Sequence, residues 1–403
     1  MIYCYSMKYY LLGKSGLRVS EFCLGTMTFG EEWGWGSSKE ESRKIFNAYV
    51  EAGGNFIDTA NKYTEGTSEK YIGEFISSDR DRFVLATKYT SNTRRGDPNA
   101  GGNHRKNMVQ SLESSLRRLN TDYIDLYWVH AWDPLTPVEE LMRALDDMVK
   151  AGKILYAGIS DAPAWIVSQA NTIANLRGWT EFSGLQIEYS LIERTPEREL
   201  LPMANSLDIG VTAWSPLGNG ILTGKYNKLI EQQQLQLQQQ SQPQNGLPST
   251  SSTLKDNKGI GNDADSSTRL NALKSISPDL VSKLLTVKNM IITEEVIRVA
   301  NDTGHSPSQV ALNWIRQQQD ITPNKKNRII PIIGATKESQ IIDNLTSLEF
   351  DLSNEHLKKL NKISKIELGF PHDFLNSKMI IDIIYGGSKI YDHRNRKEYS
   401  SSE

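Results

Sequence analysis

The feature that most constrains the fold is a repeated alternation of short apolar segments with helical patterns. The apolar segments occupy residues 22–28, 55–60, 83–89, 124–130, 154–160, 184–189, 210–216 and 328–334. Strands this hydrophobic, separated by helices, are typical of a parallel sheet that is buried on both faces. Because there are eight strand–helix units, we predict an α/β fold in which the sheet closes into a (β/α)₈ TIM barrel.

Two of the intervening segments show most clearly where helices begin and end. Residues 105–120 repeat an apolar residue every three or four positions, at Met108, Leu112, Leu116 and Leu119. The segment from Thr136 to Glu139 has the pattern of a capping box, with proline at the first helical position and a stop at Gly152. Both patterns predict helices that pack one apolar face on the barrel.

The segments outside the strand–helix units predict the domain organisation. Residues 8–22 contain two apolar stretches around Gly13 to Gly16, which predicts a β-hairpin that covers the barrel floor. One helical pattern, at residues 353–363, follows the last unit. We therefore predict an N-terminal extension at residues 1–7, the barrel at 8–350, and a C-terminal helix and tail at 351–403.

One segment departs from the barrel pattern. Residues 227–268, after the seventh strand, are rich in Gln, Ser, Asn and Pro. Such a composition does not bury enough apolar surface to offset the entropy of ordering, so we predict a disordered, low-complexity insertion. It is interpreted either as a tolerated expansion of an exposed loop or as a lid or partner-binding segment.

Charge and cysteine content limit the classes of partner and the compartment. Lys and Arg number 46 and Asp and Glu 48, so no overall field attracts nucleic acid or an anionic membrane. The partner expected is a small molecule. Two cysteines, Cys4 and Cys23, and no run of 18 apolar residues predict a reduced cytoplasmic protein without membrane insertion. No cluster of His or Cys predicts a metal site.

Four polar residues follow three consecutive predicted strands. Asp58, Lys88 and His130 end their strands, and Tyr63 lies in the loop after the first of them. The carboxyl ends of neighbouring barrel strands lie about 4.8 Å apart, so these side chains are expected to meet. Taken singly, Asp58 and Lys88 are equally consistent with a structural ion pair, and His130 with a hydrogen-bonded core histidine.

Together the four residues predict acid–base chemistry. The pKa of a tyrosine is about 10, too high for proton transfer near neutrality, but an adjacent ammonium lowers it by stabilising the phenolate. Lys88 beside Tyr63 supplies that charge, and Asp58 keeps the lysine charged and in place. His130 is predicted to hydrogen-bond a substrate oxygen. The set therefore predicts a proton donor for carbonyl reduction or, in reverse, alcohol oxidation.

A reduction also needs a hydride source. No G-x-G-x-x-G follows the first strand, and the segment Gly218 to Gly224 has the wrong spacing for that motif. In barrels, the loops after strands seven and eight commonly bind phosphate. The second of these loops has Gly334 followed by a predicted helix start, which favours an anion, although a plain helix cap explains the same pattern.

These segments together resemble the aldo-keto reductase superfamily from Leu17 to Ser347. The resemblance is closer to the branch of bacterial aldo-keto reductases and voltage-gated potassium-channel β-subunits than to aldose reductases. The motifs that carry it are LGTMTFG (24–30), GGNFIDTANKY (53–63), ATK (86–88), YWVH (127–130), GISD (158–161), LQIEYS (185–190), AWSPL (213–217) and IIGATKESQIIDN (332–344).

The resemblance implies the cofactor and the roles of the site residues. It implies NADP(H), with Tyr63 as general acid, Lys88 and Asp58 tuning it, and His130 orienting the carbonyl. The implied cofactor-binding residues are Thr26, Asp58, Ser160, Gln186, Tyr189, Trp214, Ser215, Pro216, Leu217, Lys225, Gly334, Thr336, Lys337, Gln340 and Asn344. Tyr189, rather than Trp214, is predicted to stack on the nicotinamide.

Two details qualify the implied cofactor site. Asp161 stands where many relatives have asparagine, which puts its contact with the nicotinamide carboxamide in question. Thr336, Lys337 and Gln340 suit an adenosine 2′-phosphate, so NADPH is favoured over NADH.

Two functions follow. The first is an NADPH-dependent reductase of aldehydes or ketones; the second is a cofactor-carrying, β-subunit-like regulatory protein with little turnover. The loops expected around the substrate, at residues 30–36, 94–102 and 132–135, carry aromatic residues but no diagnostic polar group.

Overall fold

The computed structural model of the protein describes residues 7–227, 282–318, 328–392 and 397–399. Its strands are β1 (Tyr9–Leu11), β2 (Arg18–Ser20), β3 (Cys23–Gly25), β4 (Phe56–Asp58), β5 (Val84–Tyr89), β6 (Ile124–Val129), β7 (Ile154–Ser160), β8 (Phe182–Glu188), β9 (Gly210–Trp214), β10 (Ile329–Ile333), β11 (Ile390–Asp392) and β12 (Lys397–Tyr399). The predicted extension, apart from Met7, and the predicted insertion, apart from residue 227, lie outside the described residues.

Strands β3 to β10 form a closed parallel barrel, which confirms the predicted fold. They follow one another around the ring in chain order, and β10 pairs with both β9 and β3 to close it. Each of the eight predicted apolar segments overlaps one of these strands. Because every strand runs in the same direction, the carboxyl ends of all eight meet at one rim.

At least one helix follows each barrel strand, and three further helices follow the last of these units. The helices are α1 (Lys39–Glu51), α2 (Thr67–Ile76), α3 (Arg105–Leu119), α4 (Val138–Lys150), α5 (Ala164–Arg177), α6 (Leu200–Leu207), α7 (Val287–Thr303), α8 (Pro307–Arg316), α9 (Glu338–Thr346), α10 (Asn354–Ile363), α11 (His372–Leu375) and α12 (Lys378–Tyr385). The four apolar residues predicted on α3 are all buried, and the helix ends at a left-handed Asn120.

The predicted start of α4 is wrong in its detail. The helix is capped by the backbone of Pro137, and no side chain caps it. The hydroxyl of Thr136 instead donates to Asp133 Oδ2 at 2.7 Å. The capping-box pattern therefore marks the right region, but a competing loop hydrogen bond takes the threonine side chain.

The barrel interior is filled by side chains rather than open. Trp128 is the largest of them and is fully buried. An added Cβ at Gly158 or at Gly184, on the next two strands, would collide with its indole ring. These two glycines therefore make room for the tryptophan, and the interior packs tightly beneath the rim.

The N-terminal hairpin closes the opposite end, as predicted. β1 and β2 pair antiparallel, and Leu12 between them is fully buried with the interior cluster. Gly13 has φ +56°, and Lys14 N donates to Asp208 O at 2.8 Å. The hairpin therefore seals the floor, so the rim at the carboxyl ends is where a ligand can enter.

The C-terminal helix α10 is docked on the barrel. The Trp314 indole, on α8, donates to Asn361 Oδ1 at 3.0 Å. The chain then continues through α11 and α12, which the sequence pattern did not predict, to the β11–β12 pair. Among the described residues, no helix is both long enough and apolar enough to cross a bilayer.

Candidate active site

A cleft of about 1120 Å³ lies at the carboxyl-end rim of the barrel. Its lining includes the last residues of five strands: Gly25, Asp58, Ser160, Trp214 and Ile333. This is the end of a parallel barrel where loops and strand ends converge. The cleft therefore lies where the sequence predicts the site.

Lys88 is the centre of the hydrogen-bonded group at the base of the cleft. Its side chain is fully buried, and its ammonium forms an ion pair with Asp58. Nζ also donates to Thr59 O at 2.9 Å and to the Tyr63 hydroxyl at 3.1 Å. The structure thus brings together three of the four residues predicted to act jointly.

The charge of Lys88 is maintained despite its burial. Burial alone lowers the pKa of a lysine, but the Asp58 carboxylate and the Tyr63 hydroxyl raise it, and the net shift is upward. Asp58 is itself held by Gln186, whose Nε2 donates to Oδ1 at 3.2 Å. A buried, fully ionised ammonium therefore faces the tyrosine oxygen.

The loop after β4 positions Tyr63. Asn61 N donates to Lys88 O at 3.1 Å, which ties this loop to the end of β5. Beyond Tyr63, Thr64 and Glu65 adopt positive φ angles of 45° and 53°. The Thr64 hydroxyl donates to Phe29 O at 2.6 Å and so stabilises this turn. Hydrogen bonds from residues before and after Tyr63 in the sequence therefore fix the loop that carries it.

His130 completes the predicted group. Its ring lies edge-on to that of Tyr63, with centroids 5.9 Å apart and an interplanar angle of 80°. Burial, assisted by the charge on Lys88, lowers the pKa of His130 to about 3. Nδ1 is buried without a hydrogen-bond partner in the part of the chain described. The imidazole is therefore neutral near pH 7 and retains unused hydrogen-bonding capacity.

From this base the cleft extends along the loops that follow β9 and β10. The predicted cofactor residues that line it are Asp58, Ser160, Gln186, Trp214, Ser215, Pro216, Leu217, Lys225, Gly334, Thr336, Lys337, Gln340 and Asn344. Thr28 and Ser37 anchor the second loop, because their hydroxyls donate to Ala335 O at 2.6 Å and Thr336 O at 3.0 Å. The hydrogen-bonded group around Lys88 and these loops thus form one continuous cleft.

The donor set suits an anionic dinucleotide. Lys225 and Lys337 both line the cleft, and Lys337 is the N-cap of α9, so the start of that helix lies beside its ammonium group. Gly334 leaves open space, since an added Cβ there would meet only Gly25 O, at 3.6 Å. The indole of Trp214, at the end of β9, is half-buried in the cleft wall. Within the described ranges, no three His, Cys, Asp or Glu side chains are grouped to hold a metal ion.

Two predicted cofactor residues do not line the cleft. Thr26 is fully buried, and its hydroxyl donates to Asp58 O at 3.0 Å. Tyr189 is fully buried against Trp314, with ring centroids 5.4 Å apart, and its hydroxyl donates to Glu197 at 2.7 Å. The prediction that Tyr189 stacks on a nicotinamide does not fit this placement. Its ring packs outward between β8 and α8, whereas Trp214 faces the cleft.

Asp343 lines the cleft and was not predicted. Its carboxylate accepts hydrogen bonds from Ser306 Oγ at 2.9 Å and from Gln309 Nε2 at 2.8 Å, at the start of α8. It lies three residues after Gln340 on α9, and thus on the same helical face. The spacing of three residues from Gln340 is the sequence signal that would have identified Asp343 as a cleft residue.

Aromatic side chains border the part of the cleft that holds Tyr63. The Trp33 ring lies edge-on to the Tyr63 ring, with centroids 6.5 Å apart. Its centroid lies 5.8 Å from that of Trp35, which lines the cleft. Of the three predicted substrate loops, only residues 30–36 contribute to the cleft lining. Trp132, from the third loop, packs against the main core instead.

The chain is similar to known oxidoreductases over most of its length. Residues 21–365 match the model of the Aldo/keto reductase family. A norsolorinic acid reductase of Emericella nidulans is 34% identical over 371 residues, which cover 90% of this chain and 82% of the relative. An aryl-alcohol dehydrogenase of Pestalotiopsis microspora is 32% identical over 374 residues, covering 91% and 84%. An aldo-keto reductase of Aspergillus calidoustus is 32% identical over 373 residues, covering 90% and 83%.

Proposed function

This chain belongs to the aldo/keto reductase family of oxidoreductases, and we propose that it reduces aldehyde or ketone carbonyls to alcohols with NADPH, using Tyr63 as the proton donor. The observation that carries the proposal is the contact of the buried Lys88 ammonium with the Tyr63 hydroxyl, at 3.1 Å, while Asp58 holds the lysine from the other side.

In the proposed mechanism, bound NADPH supplies the hydride to the carbonyl carbon. Tyr63 Oη gives its proton to the carbonyl oxygen as negative charge develops there. Lys88 stabilises the resulting phenolate, because an ammonium at hydrogen-bond distance favours the ionised form. Asp58 keeps Lys88 charged and in place, and the neutral His130 ring hydrogen-bonds the carbonyl oxygen and orients it.

The proposed cofactor contacts follow the lining of the cleft. Trp214 would offer a ring for the nicotinamide to stack on, and Ser160 and Gln186, which also line the cleft, would bind its carboxamide. Lys225, Lys337 and the start of α9 suit the phosphates. Thr336, Lys337 and Gln340 together favour the 2′-phosphate of NADPH over the plain ribose of NADH.

For the substrate we propose an aryl aldehyde or aryl ketone. The Trp33, Trp35 and Tyr63 rings border the catalytic end and offer edges and faces to an aromatic ring. The relative named as an aryl-alcohol dehydrogenase supports the same class.

The test is NADPH oxidation by the purified chain with a panel of aryl and alkyl aldehydes, with the alcohol product identified. We expect steady multiple turnover, fastest with aryl substrates. A single slow turnover would contradict this proposal and favour the cofactor-carrying regulatory function.

The role of Tyr63 is tested in the same assay. Tyr63→Phe should bind NADPH as the wild type does but lose about a hundredfold to ten-thousandfold in turnover. Tyr123→Phe is the matched control, because that hydroxyl bonds Asp81 near the amino end of β6, away from the cleft. Wild-type turnover in Tyr63→Phe would refute the assignment.

A further inference from the structure

Asp161 brings a carboxylate to the cleft directly after β7. Its backbone is held on two sides: Asp161 N donates to Gln186 O at 3.3 Å, and Trp132 N donates to Asp161 O at 3.3 Å. Its φ angle is +46°, in the left-handed region that aspartate tolerates better than most residues. The side chain is exposed to the cleft. The position of its carboxylate is therefore well determined by the fold.

The carboxylate is connected to the ring proposed to carry the nicotinamide. Trp214 Nε1 donates to Asp161 Oδ1 at 3.1 Å, so the carboxylate lies at the edge of the indole. Among the described residues, no ion pair accompanies this hydrogen bond. The Lys88 ammonium is already paired with Asp58. A ring stacked on Trp214 would thus lie beside a negative charge without a salt-bridge partner.

The surroundings of the carboxyl have opposing effects on its ionisation. Confinement between the cleft walls raises the pKa of Asp161, while hydrogen bonds from Trp214 and Ser160 and the charge on Lys88 oppose that rise. On balance, the pKa of Asp161 is raised above its ordinary value. Measurements at about pH 8, well above the ordinary pKa of aspartate, favour the ionised carboxylate.

We propose that Asp161 supplies a negative charge that stabilises the positively charged, oxidised nicotinamide, and so shifts the site toward NADP⁺ relative to NADPH. This inference rests on the proposed function. When a hydride leaves the nicotinamide C4 for the carbonyl carbon and the Tyr63 proton goes to the carbonyl oxygen, the nicotinamide ring gains one positive charge. Asp161 exchanges no atoms or electrons in that step. Its charge favours hydride donation, and hence reduction of the carbonyl.

The test compares affinities, not only rates. Asp161→Asn removes the charge, and its amide oxygen can still accept the hydrogen bond from Trp214. Dissociation constants for NADP⁺ and NADPH are measured by calorimetry on the full chain. We expect the ratio of the NADP⁺ constant to the NADPH constant to rise roughly tenfold, as for loss of a partly screened attraction between unit charges.

Two control variants separate charge from shape and position. Asp343→Asn removes a carboxylate from the adenosine end of the proposed site, which is identical in NADP⁺ and NADPH, so both affinities should change together and the ratio should stay the same. Asp161→Glu retains the charge and should keep the ratio within about threefold of the wild type. It also serves as a second probe if Asp161→Asn does not fold.

The possible failures are distinguishable. Tight binding of both forms to Asp161→Asn, with the wild-type ratio, would overturn the role of Asp161 and leave the proposed function standing. A ratio in Asp161→Glu that rises as far as expected for Asp161→Asn would also overturn it. If the wild type binds neither form, the proposed function itself fails.

Discussion

Two parts of the cleft are built by different physical means. Beside Tyr63, Asp58 and Lys88 are buried charges at the ends of neighbouring strands, and each has several partners. In the loops after β9 and β10, Lys225 and Lys337 are exposed cations. Buried pairs depend strongly on each partner, whereas exposed charges contribute modestly and singly. We therefore expect substitutions of the buried Asp58–Lys88 pair to have large, coupled effects, and substitutions of the exposed Lys225 and Lys337 to have small, independent effects.

The largest effect is expected from Lys88→Met. It leaves the Asp58 carboxylate buried without its cation, so we expect the free energy of unfolding to fall by about 3–5 kcal/mol. Turnover should fall at least about a hundredfold, because Tyr63 loses the charge that stabilises its phenolate. Chemical denaturation and NADPH oxidation measure the two quantities.

The double variant Lys88→Met/Asp58→Asn distinguishes stability from catalysis. Removing the orphaned carboxylate should restore much of the lost stability, while turnover stays low. If turnover returns together with stability, Lys88 has only a structural role and the contrast between the two parts of the cleft fails.

The next effect concerns His130 and pH. Its pKa is about 3 in the folded protein against about 6.5 in the unfolded chain, so between these values the unfolded state binds more protons. The free energy of unfolding therefore falls, because of His130, as the pH decreases from about 6.5 to about 3. Above about pH 6.5, His130 contributes no pH dependence to stability. Relative to wild type, His130→Gln should gain about 3 kcal/mol of stability on acidification from about pH 6.5 to pH 4. A pH-independent difference in denaturation midpoint would contradict this.

The smallest effect is expected in the exposed loops. Lys337→Ala should weaken NADPH binding by roughly fivefold to tenfold and NADH binding less, because an exposed cation contributes modestly to the 2′-phosphate. Lys362→Ala, an exposed lysine on α10, is the control and should change neither constant. Equal losses for NADPH and NADH would remove the argument for a 2′-phosphate contact.

The sequence predicted the barrel, and the meeting of Asp58, Lys88 and His130 at one rim, because both depend on strand periodicity. Once eight apolar segments form parallel strands, Asp58, Lys88 and His130 must share one rim, and the structure places them there. The hairpin at the barrel floor could also be predicted, because two short apolar stretches around Gly13 to Gly16 are a local pattern typical of a hairpin.

The predictions that do not fit the structure concern side-chain orientations, which the local sequence pattern does not determine. Tyr189 and Trp214 both follow apolar strands, yet Tyr189 packs on Trp314, and Trp214 faces the cleft. Thr136 fits a capping box, but Asp133 takes its hydroxyl. The helix α12, Lys378–Tyr385, is only 8 residues long, which is shorter than the window in which helical periodicity is recognised in a sequence.

The most direct test of the account is a titration of Tyr63 itself. Phenolate absorbance, obtained as the difference between wild type and Tyr63→Phe, is followed with pH and compared with the same difference measured in a Lys88→Met background. We predict that the Tyr63 phenolate forms at lower pH when Lys88 is present. If the two titrations coincide, the ammonium 3.1 Å from the hydroxyl does not tune it, and the assignment of Tyr63 as a lysine-activated acid is wrong.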